Sequence, residues 1–177
     1  DKLTSEEIAL ARKLAKEYLK TDVVACLNRK SSATQAVFGR CGSTATMLDL
    51  EKADFIIYVG GDLMRTHGVL GMKLRDMKAK LYALTDEDTL LADRIDVMLK
   101  EKTLPGIAAA VAAKSSCSIV GSDAFKKALP FDGCEFAEKI ADEYLAAKHP
   151  VIVYDKQTVS YETALMLCDM ARLSGKD

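Results

Sequence analysis

The sequence predicts an α/β fold, a mostly parallel sheet with helices on both faces and Rossmann-like in its layering. Three observations carry that reading. Phe55-Ile56-Ile57-Tyr58-Val59 is an apolar run without alternation, the pattern of a parallel strand covered on both sides. It ends at Gly60-Gly61-Asp62, and amphipathic helical spacing follows over residues 66–78 before a second apolar run over 80–84. Strands and helices then alternate to the end of the chain. The strand–turn–helix–strand segment is a βαβ unit, for which a right-handed crossover is expected.

The remaining elements follow in order. Residues 4–20 read as a helix. Thr4-Ser5-Glu6-Glu7 supplies a capping hydroxyl and first-turn carboxylates, and Ile8, Leu10, Ala11, Leu14, Ala15, Tyr18 and Leu19 recur at helical spacing. Residues 22–26 suit a short buried strand, 33–38 a helical turn and 39–43 a loop. Over 46–52 the pattern is helical, with Met47, Leu48 and Leu50 expected to turn inward. Residues 89–94 are expected to form a short helix and 95–99 a short strand. Pro105-Gly106 precedes an alanine-rich helix over 107–114, and 118–120 suit a brief strand. A helix over 134–148 carries Phe136, Ile140, Tyr144 and Leu145 on one face. Val151-Ile152-Val153-Tyr154 is the last parallel strand, and a helix over 161–173 stops at Ser174-Gly175.

Composition limits the function. The chain has 177 residues, 49% of them hydrophobic and 29% charged, enough for one compact α/β domain spanning 1–177 and too apolar for a disordered chain. Lys+Arg 25 against Asp+Glu 26 leaves no basic excess, so nucleic acid is not an expected partner. No apolar run approaches the roughly 20 residues of a membrane span, so no direct membrane insertion is expected. Five cysteines (Cys26, Cys41, Cys117, Cys134, Cys168) are scattered and never form CxxC. A reduced, cytoplasmic setting and no cysteine-only metal site are expected. The start at Asp1, without Met, suggests a piece of a longer protein.

Candidate chemistry gathers where strands end, because ligands in open α/β sheets bind beyond the carboxyl ends of the strands. Gly60-Gly61 either brings backbone N–H groups close to a ligand or makes a tight turn. Arg65 and His67 are placed at the start of the following helix. Asp62 would set a carboxylate where a phosphate would rest, and it reads best as a helix cap. At the next strand tip, Thr85 and Asp86 could meet a ribose or base edge, or could simply begin a helix with Glu87 and Asp88. His149 reads as a loop residue, and Met47, Met64, Met72 and Met77 read as core filler. Cys26 and Cys41 lie near a strand end and a glycine loop. No nucleophile–base arrangement is visible, so no catalytic residue is assigned.

With Ala53-Asp54 through Val69-Leu70 in view, the chain resembles the molybdopterin oxidoreductases, in particular formate dehydrogenase large subunits and the iron–sulphur G subunit of NADH–quinone oxidoreductase. That family reads Ala-Asp, an apolar strand, Gly-Ser-Asn-Pro, two or three residues, then His-Pro-Val. Thr4-Ser5-Glu6-Glu7 is similar to its Thr-Asn-Glu-Glu helix start, residues 80–96 to its strand and Asp-Pro-Arg turn, Leu104-Pro105-Gly106 to its Pro-Gly-Thr-Asp helix, and 150–154 to its late strand. The resemblance implies a domain that helps hold a bis(molybdopterin guanine dinucleotide) through the glycine turn and the acid of Asp-Pro-Arg. Here Asp62 replaces the family's Asn, Leu63 and Gly68 replace its prolines, and Thr85-Asp86-Glu87 replace Asp-Pro-Arg. A like-charge contact costs about 4 kcal/mol at ~4 Å with an effective dielectric of roughly 20.

What the resemblance therefore implies is a structural domain of an electron-transfer subunit, with no cofactor in this fragment and iron–sulphur clusters elsewhere in the parent. Its partners would be other domains and subunits of a redox complex, and an open sheet edge would let the fragment form a homodimer. Two alternatives stand beside it. One is a molybdopterin guanine dinucleotide-binding domain of a formate dehydrogenase-like enzyme, using Gly60, Gly61 and Thr85 or Asp86. The other is a nucleotide-binding module.

Overall fold

A computed structural model describes residues 5–23, 32–115 and 135–175. The chain divides into two compact units, Asp1–Ser31 and Ser32–Asp177.

The first unit contains α1 (Ser5–Glu17), with Glu6 and Glu7 in its first turn and Lys16 in its last, each sign matched to the helix dipole. It stops earlier than the periodicity predicts. The Leu14 carbonyl accepts N–H groups from both Tyr18 and Leu19, and Lys20 adopts φ 54, which takes the backbone out of the helix. Ala15 is buried, whereas Leu10, Leu14, Tyr18 and Leu19 are exposed. The strand expected over 22–26 is not present at residues 22 and 23, and Val23 is 81% exposed. Its remainder, with Cys26, lies outside the described residues, as do Cys117, Cys134 and the strand expected over 118–120.

The second unit is built on four parallel strands, β1 (Phe55–Val59), β2 (Lys80–Leu84), β3 (Val97–Leu99) and β4 (Pro150–Tyr154), in the order β3-β2-β1-β4. Ile57 pairs with Tyr82 on one side and Ile152 on the other. Every residue of β1 is buried, as expected for a central parallel strand. Phe55, Ile57 and Val59 face one core layer with α2 (Ala33–Phe38), α6 (Leu104–Lys114), α7 (Glu135–Ala146) and α8 (Tyr161–Ser174). Ile56 and Tyr58 face the other, with α3 (Met47–Glu51), α4 (Leu63–Thr66) and α5 (Gly68–Asp76). Helices on both faces of a parallel sheet are the predicted architecture.

Local chemistry sets most boundaries. Thr46 caps α3 in a capping box with Asp49. Pro105 sits in the first turn of α6, where its missing N–H leaves no bond unmade. Gly175 ends α8 at φ 68. Ile107 and Ala108 to Ala112 are all buried, so α6 is a helix of small side chains pressed between layers.

Several expectations are corrected. The helix predicted over 66–78 is the shorter α5, and a separate turn of helix precedes it: Asp62 starts α4 directly after the glycines, and His67 leaves helical geometry at φ −140, ψ 63 between the two. The pieces fold tightly on each other, since a Cβ on Gly71 would lie 2.6 Å from Met64 Sδ. Residues 89–94 form turns rather than a helix, because Asp62 draws the Thr89 hydroxyl and the Leu90 N–H to itself. β3 starts at Val97, not residue 95. In α3 only Leu50 is buried, with Met47 and Leu48 exposed; Met72 is exposed too, whereas Met64 and Met77 pack on the core. On α7 the inward face is Ala137, Ile140, Ala141 and Tyr144, and Phe136 lies largely outside it.

The amino-terminal ends of the strands are stitched by side chains. Asp54 accepts the N–H groups of Lys148 (2.8 Å) and His149 (2.9 Å), joining β1 to β4. Arg94 donates to the Met77 and Ala79 carbonyls, and Asp96 accepts the Leu81 N–H at 2.7 Å. Lys80 and the Tyr82 hydroxyl both donate to Glu143 at 2.6 Å. Among the described residues no helix is long and apolar enough to cross a membrane.

Candidate functional site

The strand order reverses between β1 and β4: the chain steps outward through β2 and β3, then returns to the other side of β1. The crevice at such a reversal, beyond the carboxyl ends of the strands, is the usual ligand position in this architecture. Gly60 and Gly61 lie there, beside Asp155 at the tip of β4 and Thr158 in the turn that follows.

The glycine turn is closed by the chain itself. Gly60 N–H donates to the Leu84 carbonyl at 3.1 Å, and Gly61 N–H donates to Thr158 Oγ1 at 3.1 Å. The Gly61 carbonyl accepts the Tyr58 hydroxyl. Gly60 has φ 133, and a Cβ on it would meet Thr158 Oγ1 at 2.8 Å and Asp155 Cβ at 3.0 Å. A Cβ on Gly61 would meet Glu87 Oε2 at 2.9 Å. Gly60 is therefore required by its backbone conformation and by the close approach of the protein's own side chains, whereas Gly61 is crowded chiefly by the movable end of Glu87. Neither of their amides is left to cradle an anion.

The charges around the turn have one predominant sign. Asp62 is buried, and its Oδ1 accepts Met64 N–H (3.2 Å), the Thr89 hydroxyl (3.0 Å) and Leu90 N–H (3.3 Å). It is the cap of α4, as expected. Arg65 Nε stands 3.1 Å from Asp62 Oδ2, yet that buried oxygen accepts no hydrogen bond among the described residues, and the Arg65 side chain is 71% exposed. An ion pair of that kind offsets little of the buried charge. Asp155 is also buried; its Oδ1 accepts Gln157 N–H at 2.8 Å, and its Oδ2 accepts none among the described residues. Burial, followed by the charges of Asp155, Asp62 and Glu87, raises the Tyr58 hydroxyl above the ordinary tyrosine value. These residues do not fit an anionic group at this turn: its donors are engaged, and carboxylates surround it.

Other candidates stand apart from the turn. His67 stands at the start of α5 as expected, at the break between α4 and α5, where it is exposed and makes no side-chain cap bond. His149 is an exposed residue before β4. Thr85 is buried, its Oγ1 accepting the Glu87 N–H at 3.1 Å, which bends the chain after β2. Asp86 instead lines a separate cavity of about 300 Å³ with Glu101, Lys102, Leu104, Pro105, Thr163 and Met166. A hollow of similar size, about 310 Å³, on the first unit is bounded by Arg12, Lys16, Thr21 and Asp22. Cys41 is exposed with its thiol on Gln35 Oε1 (2.9 Å), and burial pushes the Cys168 thiol up to about 11. Among the described residues, no group of three or more His, Cys, Asp or Glu could hold a metal ion.

Asp155 and Thr158 escaped sequence reasoning. The signal was available for Asp155, which immediately follows a predicted strand just as Gly60 and Thr85 do. Nothing local marks Thr158, whose partner Gly61 is 97 residues away.

No protein-family model matches the chain. A nitrate reductase of Shewanella frigidimarina is 32% identical over 109 residues, a match covering 56% of this chain and 12% of that protein. The chain thus spans about an eighth of the curated relative it matches. The likeness supports, at the coarse level, the relationship with molybdopterin oxidoreductases.

Proposed function

We propose, from that likeness, that the chain is an α/β domain of a redox subunit with the molybdopterin oxidoreductase fold, of the kind found in the G subunit of NADH–quinone oxidoreductase. In this reading the domain carries no pterin cofactor. It serves as a packing element between cluster-bearing domains and partner subunits of an electron-transfer assembly. One observation carries the reading: the Gly60 and Gly61 amides are already bonded within the chain, and buried Asp62 and Asp155 flank them. A dinucleotide rich in phosphate would have to break those bonds and meet like charge. The test is elemental and pterin analysis of the longer protein that contains this chain. Molybdenum and tungsten are expected well below one per chain, without pterin fluorescence. Either metal at stoichiometry, with bound pterin, overturns the reading in favour of a formate dehydrogenase-like enzyme.

The cavity beside Asp86 favours a second reading, a nucleotide-binding module. It sits at the tips of β2 and β3, where an acid can accept hydrogen bonds from a ribose. Calorimetric titration of the 177-residue chain with GMP and AMP separates the two readings. Silence with both supports the packing role, and saturable heat that Asp86→Ala removes supports the module.

A further inference from the structure

The two edges of the sheet are not alike. β3 has three residues and is followed by Lys100, whereas β4 has five, Pro150-Val151-Ile152-Val153-Tyr154, with no charged side chain. All five are half-buried. Among the described residues no strand pairs with the outer side of β4. The direction of its free backbone groups follows from the ladder. The His149 carbonyl accepts the Asp54 N–H, and Asp155 N–H donates to the Val59 carbonyl, so odd-numbered residues of β4 face β1. Alternation then points the N–H and C=O groups of Ile152 and Tyr154 outward, with the Pro150 carbonyl beside them. Natural edges of this length normally carry a charge, a bulge or an interior proline that blocks pairing. Here the proline stands at the first position, and the interior is open.

We propose that the outer edge of β4 is a pairing surface for a second copy of this chain, joined antiparallel about a two-fold axis through Ile152. The sequence is self-complementary in that register. Ile152 lies opposite its own copy, Val151 opposite Val153 and Pro150 opposite Tyr154, so every opposed pair is apolar and the central ones are β-branched. A two-fold pairing uses the same patch on both copies and closes after two, which limits the assembly to a dimer. Each copy gives the Ile152 N–H to the other's Ile152 carbonyl and the Tyr154 N–H to the other's Pro150 carbonyl. The absent Pro150 N–H leaves the Tyr154 carbonyl at the rim. Lys148 and Lys156 of opposite copies come to the same end of the pair, so added salt tightens it by screening. A pair of five-residue strands stays below the roughly 1,200 Å² of a stable interface, so half-association is expected on the order of 10⁻⁴ M. This surface is independent of the functional reading above.

Sedimentation of the 177-residue chain from about 10 µM to about 1 mM, with amide exchange followed at the same concentrations, tests the proposal. The expected mass rises toward twice that of one chain. The Ile152 and Tyr154 amides slow as concentration rises, while those of Val151 and Val153, bonded to β1, are slow throughout. Ile152→Pro removes an outward N–H, leaves the β1 ladder in place, and abolishes the association. Slow exchange at Val151 and Val153 shows that this variant is folded; should it not fold, the exchange pattern of the unaltered chain decides. A monomer at every concentration overturns the proposal. So does a dimer whose Ile152 and Tyr154 amides still exchange freely, or protection of those amides that is independent of concentration.

Discussion

Gly60 and Gly68 show how differently two glycines can be constrained. Gly60 sits at φ 133 with Thr158 and Asp155 against the place of a Cβ, whereas a Cβ on Gly68 meets nothing within 4 Å. Gly60→Ala is therefore expected to lower unfolding stability by about 1–3 kcal/mol, the range for a strained backbone conformation. Gly68→Ala, at the start of α5, is expected to raise it by a few tenths, up to ~0.5 kcal/mol, through helix propensity. Urea denaturation of both variants checks the pair; equal effects would contradict the packing described for the turn. The double glycine was legible in the sequence as a site of close approach. What approaches it was not, because Thr158 and Glu87 arrive from other strand tips and no local pattern encodes a contact that the fold creates.

At the scale of single elements, Asp54 holds the entry to the central strand. Its carboxylate accepts two N–H groups from the segment leading into β4, and its own backbone binds both neighbouring strands: its N–H goes to the His149 carbonyl and its carbonyl accepts Lys80 N–H. Burial is the largest single influence and opposes ionisation, but the Lys148 and His149 N–H groups together outweigh it and hold the carboxyl below the ordinary aspartate range. Asp54→Ala is expected to cost about 1 kcal/mol, discounted for exposure, with Asp54→Asn costing less because its amide oxygen still accepts. Thermal unfolding distinguishes the two. Strand positions were readable because an unbroken apolar run has few alternatives, and all four runs that became strands were expected as such. Helix faces were less readable. Periodicity shows that Met47, Leu48 and Leu50 share an apolar character, but not how much of α3 the thin layer over the sheet covers, and only Leu50 is reached.

Across the whole molecule, the shifted groups predict how stability depends on pH. Glu143 is opposed by burial but held below the ordinary carboxylate value by Lys80 and Tyr82, and Asp54 is lowered as well. Groups lowered in the folded state contribute in full above about pH 4.5, and the contribution is lost as pH falls through their folded values. Tyr58, Tyr82 and Tyr144 are all raised by burial above 10, so folding favours their neutral form and stability declines as pH rises past that value. The urea midpoint should therefore be flat between about pH 5 and pH 9 and fall on both sides. Glu143→Gln should make the acid limb shallower and should also soften the alkaline one, because Glu143 helps to raise Tyr82 and Lys80. An acid limb unchanged in that variant would remove the network from the account.

The two ends of the sheet are built unequally. One hem is sewn by Asp54, Arg94 and Asp96, each joining neighbouring strands or the segments that lead into them, and by Glu143, which ties α7 to β2, while the opposite hem keeps two carboxylate oxygens that no described residue answers with a hydrogen bond. A cation or a neutral donor brought to that second hem would therefore find acceptors waiting, whereas an anion would find none of the donors it needs.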